Sequence, residues 1–309
     1  MKAMSEKRGR KIFLKNVKRS RWLYLMFALP FLYFIIFKYG AMAWLIIAFE
    51  DFNAFKGVFH SKWVGLKWFK TFISDPYFWN IVKNTIVLNL WNIIICFPAP
   101  ILLALLINEV KNKAFKKFTQ TVSYLPYFLS TVVVCGFITN IVASDGLINQ
   151  LLKAMGMDTI TFLMEPQWFR PIYVMSELWQ GCGWGSIIYL AALAGVDQQL
   201  YEAASIDGAS KLQQLIHISI PGIVSVISIQ FLLTVGRILS IGYEKIILLY
   251  NGATYETADV ISTYVYRRGL IEANYSYGAA VSIFQSVIAL FLVVMANKAA
   301  KKVGQTSLW

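Results

Sequence analysis

Long apolar stretches alternate with shorter polar stretches along the whole chain. Each apolar stretch is long enough to cross a hydrocarbon core of about 30 Å as an α-helix, because a helix rises about 1.5 Å per residue. The pattern therefore predicts an all-α membrane protein. Its six transmembrane helices are expected near residues 22–48, 84–107, 119–143, 171–196, 218–236 and 276–297.

Basic residues are concentrated on one side of these spans. The polar tail at 1–21 carries nine Lys and Arg residues against the single acid Glu6. Segments with such an excess are typically cytoplasmic. Six crossings that start from a cytoplasmic tail place 108–118, 197–217 and the C-terminus on the same side, with 17 basic residues inside and 11 outside. We therefore expect both termini in the cytoplasm, and we expect the first span, which is too long for a signal-peptide core, to remain as an anchor.

Composition and net charge narrow the possible functions. The chain is 58% hydrophobic and only 15% charged, whereas a soluble domain has about a quarter of its residues charged. Its net charge of +13 lies mostly beside the span ends, where it sets topology and contacts anionic membrane lipids. Nucleic acid is therefore not an expected partner. Cys96, Cys135 and Cys182 lie in apolar stretches without a neighbouring histidine, so no metal site is expected.

The segment at 197–221 is a polar interruption between the fourth and fifth spans. Residues 200–206 and 210–220 predict two short helices, and Asp207-Gly208 supplies the turn between them. The residues of interest are Glu202, Ala203, Ala204, Asp207, Gly208 and Ala209. With the ending Ile218-Ser219-Ile220-Pro221, they resemble the EAA loop of bacterial ABC importer permeases. An ordinary amphipathic loop is the alternative for each residue alone, but the complete spacing on the cytoplasmic side favours the resemblance.

In that family the EAA loop docks into a groove on a separate ATPase subunit. The resemblance implies a type I permease fold at 22–309 in the bacterial plasma membrane, with 197–221 as the ATPase-coupling loop. It also implies a pore that works by alternating access, a second homologous permease chain, two ATPase subunits and an extracellular sugar-binding lipoprotein. The chain has no Gly-x-x-x-x-Gly-Lys-Ser/Thr phosphate loop. We therefore expect ATP and Mg²⁺ on the partner ATPase, no cofactor in this chain, and no enzymatic activity of its own.

The outer loop between the fifth and sixth spans narrows the family further. Several of its segments, together with the last span, resemble the LplB-like polysaccharide/oligosaccharide branch of the maltose-type carbohydrate permeases. These segments are Tyr243-Glu244-Lys245, residues 257–269, Tyr275-Ser276-Tyr277, Phe284-Gln285-Ser286, Asn297 and Ser307-Leu308-Trp309. The resemblance implies an oligosaccharide as the transported substrate.

The fourth span and the outer loop hold the candidate substrate residues. Aromatic rings stack on the faces of sugar rings while amides bond to hydroxyls, and this chemistry selects Trp179, Gln180, Trp184, Tyr243 and Glu244. Close packing of helices is the alternative, because Gly181 and Gly185 form a small-xxx-small pair. Glu177 would either bind a hydroxyl or reach to the interface.

Other functions remain as alternatives at this stage. An ion-coupled secondary transporter would need ionisable groups at membrane depth, and a membrane enzyme would need a cluster of acids or histidines. An ABC permease for amino acids or phosphonates is also compatible with the EAA spacing. The aromatic outer segment at 50–83 suits either the lipid interface or an extracellular partner.

Overall fold

The computed structural model describes residues 19–237, 239 and 242–302. The described part is mostly helical, and most of the basic tail at 1–21 lies outside it. The helices are α1 (Arg21–Phe49), α2 (Lys67–Ile73), α3 (Phe78–Glu109), α4 (Lys113–Tyr124), α5 (Thr131–Val142), α6 (Leu147–Ala154), α7 (Pro166–Leu193), α8 (Gln198–Ile206), α9 (Lys211–Gly236), α10 (Tyr243–Leu249), α11 (Tyr255–Ala258), α12 (Ile261–Val265) and α13 (Tyr275–Lys302).

Several of these elements contain or adjoin non-α turns. A π-helical turn lies in α1 (Ile35–Tyr39), in α3 (Asn92–Cys96) and in α9 (Leu215–Ser219), and another (Tyr266–Ile271) follows α12. Short 3₁₀ turns are Trp44–Phe49 at the end of α1, Val58–His60 and Leu125–Phe128. The strands β1 (Glu50–Asp51) and β2 (Lys62–Trp63) pair antiparallel, with Glu50 opposite Trp63.

Five segments of the described chain are long and apolar enough to cross a membrane. They are Arg21–Phe49, Phe78–Glu109, Thr131–Ala154, Lys211–Gly236 and Tyr275–Lys302. Helix α7 has 28 residues and would be about 42 Å long, so its length also suffices. It is less apolar because it carries Glu177, Gln180 and three glycines within one stretch. The count of six crossings therefore stays a prediction.

The third expected span, 119–143, is not one helix. Helix α4 ends at Tyr124, a 3₁₀ turn follows at Leu125–Phe128, and α5 begins only at Thr131. The break has two local causes: Pro126 lacks a backbone N–H, and the Ser130 side chain accepts a hydrogen bond from the backbone N–H of Val133 as the cap of the new helix.

Close packing around α7 depends on a different glycine from the pair expected. A Cβ at Gly183 would lie 1.9 Å from the backbone oxygen of Ser123 in α4, so only glycine fits. A Cβ at Gly185 would lie 3.1 Å from Pro100 of α3, whereas a Cβ at Gly181 would meet nothing within 4 Å. Gly181 and Gly185 therefore do not form one helix–helix contact.

The outer segment at 50–83 is partly a core of its own. Phe72 and Phe78 are buried against Ile261, Tyr264 and Tyr277. The indole Nε1 of Trp68 donates a hydrogen bond of 2.9 Å to the backbone oxygen of Glu50. Part of this aromatic content is thus internal packing between α2, α3, α12 and α13, which neither expectation included, whereas Phe55, Phe59, Trp63, Tyr77 and Trp79 are exposed.

Candidate functional site

Helices α3, α7 and α9 surround a cavity of about 740 Å³. Its polar lining consists of Asn89, Asn92, Tyr173, Glu177, Trp184, Tyr189, Gln230, Thr234 and Arg237. The positions from Tyr173 to Tyr189 on α7 correspond to about 24 Å of helix. The cavity therefore extends along α7.

The local sequence explains why this space stays open. The π-helical turn Asn92–Cys96 and the prolines that follow it, Pro98 and Pro100, break the regular hydrogen-bond ladder of α3 beside the cavity. On α7 the lining residues Gly181 and Cys182 are small, and a Cβ at Gly181 would meet nothing within 4 Å, whereas α3 approaches closely at Gly185. The small side chains at 181 and 182 and the irregular turn of α3 therefore leave room between the two helices.

The two ends of the cavity differ in polarity. Near one end, Tyr189 and Leu193 of α7 pack against Ile223 of α9 and Leu105 of α3 in an apolar cluster. Because the first half of α9 meets the second half of α7, the end of α9 lies beside the first half of α7. The polar residues Asn89, Tyr173, Glu177 and Arg237 therefore gather at the other end.

A charged cluster supports that polar end. The Lys245 Nζ of α10 lies 2.6 Å from a carboxylate oxygen of Glu177, and its side chain is only 6% exposed. The same ammonium donates a 2.8 Å hydrogen bond to Oε1 of Gln180, whose amide nitrogen donates to the backbone oxygen of Leu129. A buried ammonium is tolerated when it is paired in this way. Lys245 therefore neutralises Glu177 from behind the cavity wall.

Sequence reasoning noted Lys245 but did not choose it as a functional residue. Its neighbours Tyr243 and Glu244 were chosen, yet both are exposed and neither lines the cavity. The ring of Tyr243 stacks on Tyr266, with centroids 5.4 Å apart. A lysine that is followed directly by the apolar run Ile246–Leu249 was the signal for a buried charge.

The aromatic candidates on α7 have different surroundings. Trp184 lines the cavity and stacks on Tyr127, with centroids 4.7 Å apart and planes 4° apart. Trp179 lies outside the lining and stacks on Phe137 at 5.9 Å. Gln180 binds the ion pair instead of lining the cavity. The five candidates are therefore not brought together at one place.

Long-range polar contacts hold the outer loop to the helices. Asp259 is fully buried, and its Oδ2 lies 2.6 Å from Nη2 of Arg267. Burial opposes the charge on Arg267, but the hydrogen bond that its guanidinium donates to Asp259 raises the pKa of Arg267 overall. Asn84 of α3 donates to the backbone oxygen of Asp259 at 3.0 Å and accepts from Arg170 at 2.8 Å. Asn84 is therefore a structural anchor for the loop, unlike Asn89 and Asn92 at the cavity.

The loop is also tied to the segment before α3. The Tyr264 hydroxyl donates a 2.5 Å hydrogen bond to a carboxylate oxygen of Asp75. Burial and this bond raise the pKa of Tyr264, so the hydroxyl keeps its proton and remains a donor. These contacts hold residues 259–267 to α3, and Ile246 and Leu249 of α10 pack with Tyr173 and Val174 of α7, so Lys245 is held beside α7.

At the other end of α7, the segment at 197–221 forms a helical hairpin. Asp197 caps α8, and Gly208 turns the chain with a φ of +76°. Ser210 and Gln213 form a reciprocal capping box at the start of α9. Glu202, Ala203, Asp207 and Gly208 are exposed, while Ala204 and Ala209 are half-buried.

The hairpin is braced mainly by its own residues. Gln214 is buried, and its amide nitrogen donates to Oγ of Ser205 at 2.9 Å and to the backbone oxygen of Ala209 at 3.3 Å. The Tyr201 hydroxyl is 2.9 Å from Oγ of Ser219. Around the turn, Ile206 and Leu212 are 87% and 66% exposed. The hairpin therefore presents apolar and acidic side chains on a rigid support.

Comparison with known proteins places this architecture in a family. Residues 97–304 match the family described as binding-protein-dependent transport system inner membrane component. The polygalacturonan/rhamnogalacturonan transport system permease protein YteP of Bacillus subtilis is 44% identical, over 98% of this chain and 95% of that protein. Protein LplB of Bacillus subtilis is 41% identical, over 96% of this chain and 94% of that protein.

A solved structure has the same fold. It is a bacterial alginate ABC transporter in complex with an alginate pentasaccharide-bound periplasmic protein. One of its chains is 40% identical and superposes with a TM-score of 0.88, over 95% of this chain and 99% of that one. The chain therefore belongs to the binding-protein-dependent transport system inner membrane components, the permease subunits of ABC importers.

Proposed function

We propose that this permease imports oligosaccharides and forms one half of the translocation pore of an ATP-driven importer. The observation that carries the proposal is the cavity beside α7, which is lined by amides, hydroxyls and aromatic rings in a chain of this family. Its volume of about 740 Å³ falls within the usual range of small-molecule sites, roughly 300–1,000 Å³. Amides and hydroxyls suit sugar hydroxyl groups, and Trp184 offers a face for a sugar ring. The names of the relatives, which refer to polygalacturonan, rhamnogalacturonan and alginate, support a saccharide as cargo.

The pore requires other chains. A second homologous permease supplies the opposite wall, and a sugar-binding lipoprotein delivers the cargo from outside, as the periplasmic protein in the alginate transporter complex suggests. Two ATPase subunits bind ATP and Mg²⁺. Both termini and the hairpin face the cytoplasm, because the basic residues are concentrated on that side.

The hairpin couples the permease to the ATPase. Its exposed residues Glu202, Asp207, Ile206 and Leu212 form the contact surface. Because local hydrogen bonds hold α8 to the start of α9, a movement of the ATPase is passed to α7 and α9 rather than absorbed in the turn. These two helices line the cavity, so the same movement changes access to it.

A pair of glycine variants tests this coupling. We expect Gly208→Val in the complete importer to lower transport and cargo-stimulated ATP hydrolysis at least tenfold, because a β-branched residue is strained at a φ of +76° and alters the hairpin. Gly156→Val is the matched control, since Gly156 also has a φ of +76° and open space around it, but lies in the turn after α6. Equal loss in both variants, or normal transport by Gly208→Val, contradicts the coupling role.

Uptake into membrane vesicles tests the source of energy, which for a permease subunit of this family is a partner ATPase rather than an ion gradient. An ATP-driven importer needs internal ATP and tolerates a protonophore for as long as ATP is supplied, whereas a proton-coupled transporter loses uptake with the protonophore and ignores ATP.

A further inference from the structure

The charges around the cavity do not cancel. Of the described residues that line it, only Glu177 and Arg237 are charged. The carboxylate of Glu177 is already neutralised by Lys245 at 2.6 Å, and Lys245 is too deeply buried to meet a ligand itself. The guanidinium of Arg237 is therefore the net charge that a ligand meets.

Arg237 is placed to use that charge. It follows the last residue of α9, at the polar end of the cavity, and its side chain is exposed. None of the ion pairs within the described chain involves Arg237. The residues that follow it up to Gly242 are Ile238, Leu239, Ser240 and Ile241, so its immediate sequence neighbours supply no carboxylate.

We infer that the cavity selects oligosaccharides that bear carboxylates, and that Arg237 is the residue that selects them. This inference rests on the proposed function. A guanidinium binds a carboxylate through two parallel hydrogen bonds, whereas a neutral sugar has no group that matches this geometry. Asn89 and Asn92 at the same end of the cavity suit the hydroxyl groups of the sugar.

The Lys245–Glu177 pair has a complementary role in this selection. An unpaired carboxylate at Glu177 would repel a uronic acid at the polar end of the cavity. Lys245 removes that repulsion without occupying the cavity, because it approaches Glu177 from α10. Two positive charges and one negative charge therefore leave this end with a net charge of about +1 for an anionic sugar.

Two probes that differ only in charge test the inference on the complete importer. The binding protein is left out, so that its own specificity does not affect the measured binding. Equilibrium binding is measured in nanodiscs with a tetragalacturonate and with its methyl ester, which has the same sugar rings but no charge. We expect the wild type to bind the acid about tenfold more tightly than the ester, the difference typical of a hydrogen bond to a charged group. Raising the salt concentration should weaken binding of the acid but not of the ester.

The variants assign this preference to one residue. Arg237→Gln should lose the preference by weakening acid binding about tenfold while ester binding stays the same. Arg237→Lys should keep part of it, because it keeps the charge but not the fork geometry. Arg268→Gln removes the same charge from a surface arginine that pairs with Glu272 and lies outside the cavity lining, and it should leave the preference intact.

Each other outcome has a definite meaning. Equal binding of acid and ester by the wild type overturns the inference and leaves the oligosaccharide function standing. If Arg237→Gln weakens binding of the acid and of the ester equally, Arg237 has a structural role and the inference is overturned. A preference for the acid that survives in Arg237→Gln also overturns it. If the wild type binds neither probe and, with its binding protein, imports no member of a panel of neutral and acidic oligosaccharides, the proposed function itself is wrong.

Discussion

The coupling hairpin and the outer loop are built by opposite means. The hairpin at 197–221 is stabilised mainly by bonds between residues close in sequence, such as Gln214 to Ser205, and its outer surface is bare. The outer loop at 242–271 depends on bonds to distant helices, such as Asn84 to Asp259, 175 residues away. A hairpin held by local hydrogen bonds can keep its shape while it moves against a partner protein. A loop bonded to several distant helices instead keeps its position, and here the loop holds Lys245 against α7.

The largest effect on stability should come from the fastening of the outer loop. Asp259→Ala removes the buried partner of Arg267 and of the Thr263 hydroxyl. Breaking a buried ion pair on one side destabilises by about 3–5 kcal/mol, so we expect a lower thermal unfolding temperature of the purified importer. Glu272→Ala breaks an exposed pair with Arg268 and should lower stability by less than about 1 kcal/mol. Similar shifts in the two variants would mean that Asp259 does not fasten the loop.

The next effect should come from the ion pair behind the cavity. Glu177→Gln leaves Lys245 buried with weaker acceptors and should lower stability by about 2 kcal/mol. Adding Lys245→Met removes the unpaired charge, so the double variant should recover part of that loss. A double-mutant cycle that includes Lys245→Met alone gives the coupling energy. A coupling energy near zero would contradict the pairing.

A smaller effect should come from the cap of the hairpin. Ser210→Ala removes the side-chain half of the capping box and should lower stability by about 1 kcal/mol. Ser130→Ala removes the cap of α5 and should have a similar thermal effect. If the hairpin transmits movement, only Ser210→Ala should also lower cargo-stimulated ATP hydrolysis. Equal cargo-stimulated ATP hydrolysis in the two variants would argue against transmission through the hairpin.

The smallest effect on stability should come from a substitution on the exposed surface of the hairpin. Glu202→Lys changes an exposed side chain, so the unfolding temperature should hardly move. The ATPase subunit should nevertheless co-purify in lower yield, because the carboxylate that meets its basic groups is reversed. Asp158→Lys, an equal reversal at an exposed residue after α6, serves as the control. Full recovery of the ATPase with Glu202→Lys would exclude Glu202 from the contact.

Prediction from sequence worked where the cause of a structure is local. The turn at Asp207-Gly208 and the two hairpin helices follow from residues within a few positions of each other, and the structure has both. The break after Tyr124 was not predicted, because the expected span at 119–143 was drawn from the length of its apolar run alone. The local signals for the break are Pro126 and the capping residue Ser130.

The lining of the cavity was not predicted from the sequence, because it depends on residues that are far apart along the chain. Gln180 was chosen as a sugar ligand, but its oxygen is taken by Lys245, 65 residues further along the chain. Gly183 rather than Gly181 permits close packing, because α4 passes directly over it. Which side chains face a cavity depends on the rotation of each helix against its neighbours, and three helices must be placed before one lining residue is known.

The sequence by itself determined that this chain is helical and lies in a membrane, where the hairpin falls and which family it belongs to. Apolar run length, capping residues and a glycine turn act over short distances, so they can be read along the chain. Only the tertiary structure decided that Lys245 neutralises Glu177 and that Arg237 lines the cavity without an ion-pair partner among the described residues. The physical reason is that the effect of a charge depends on its neighbours in space, and those neighbours come from three separate helices.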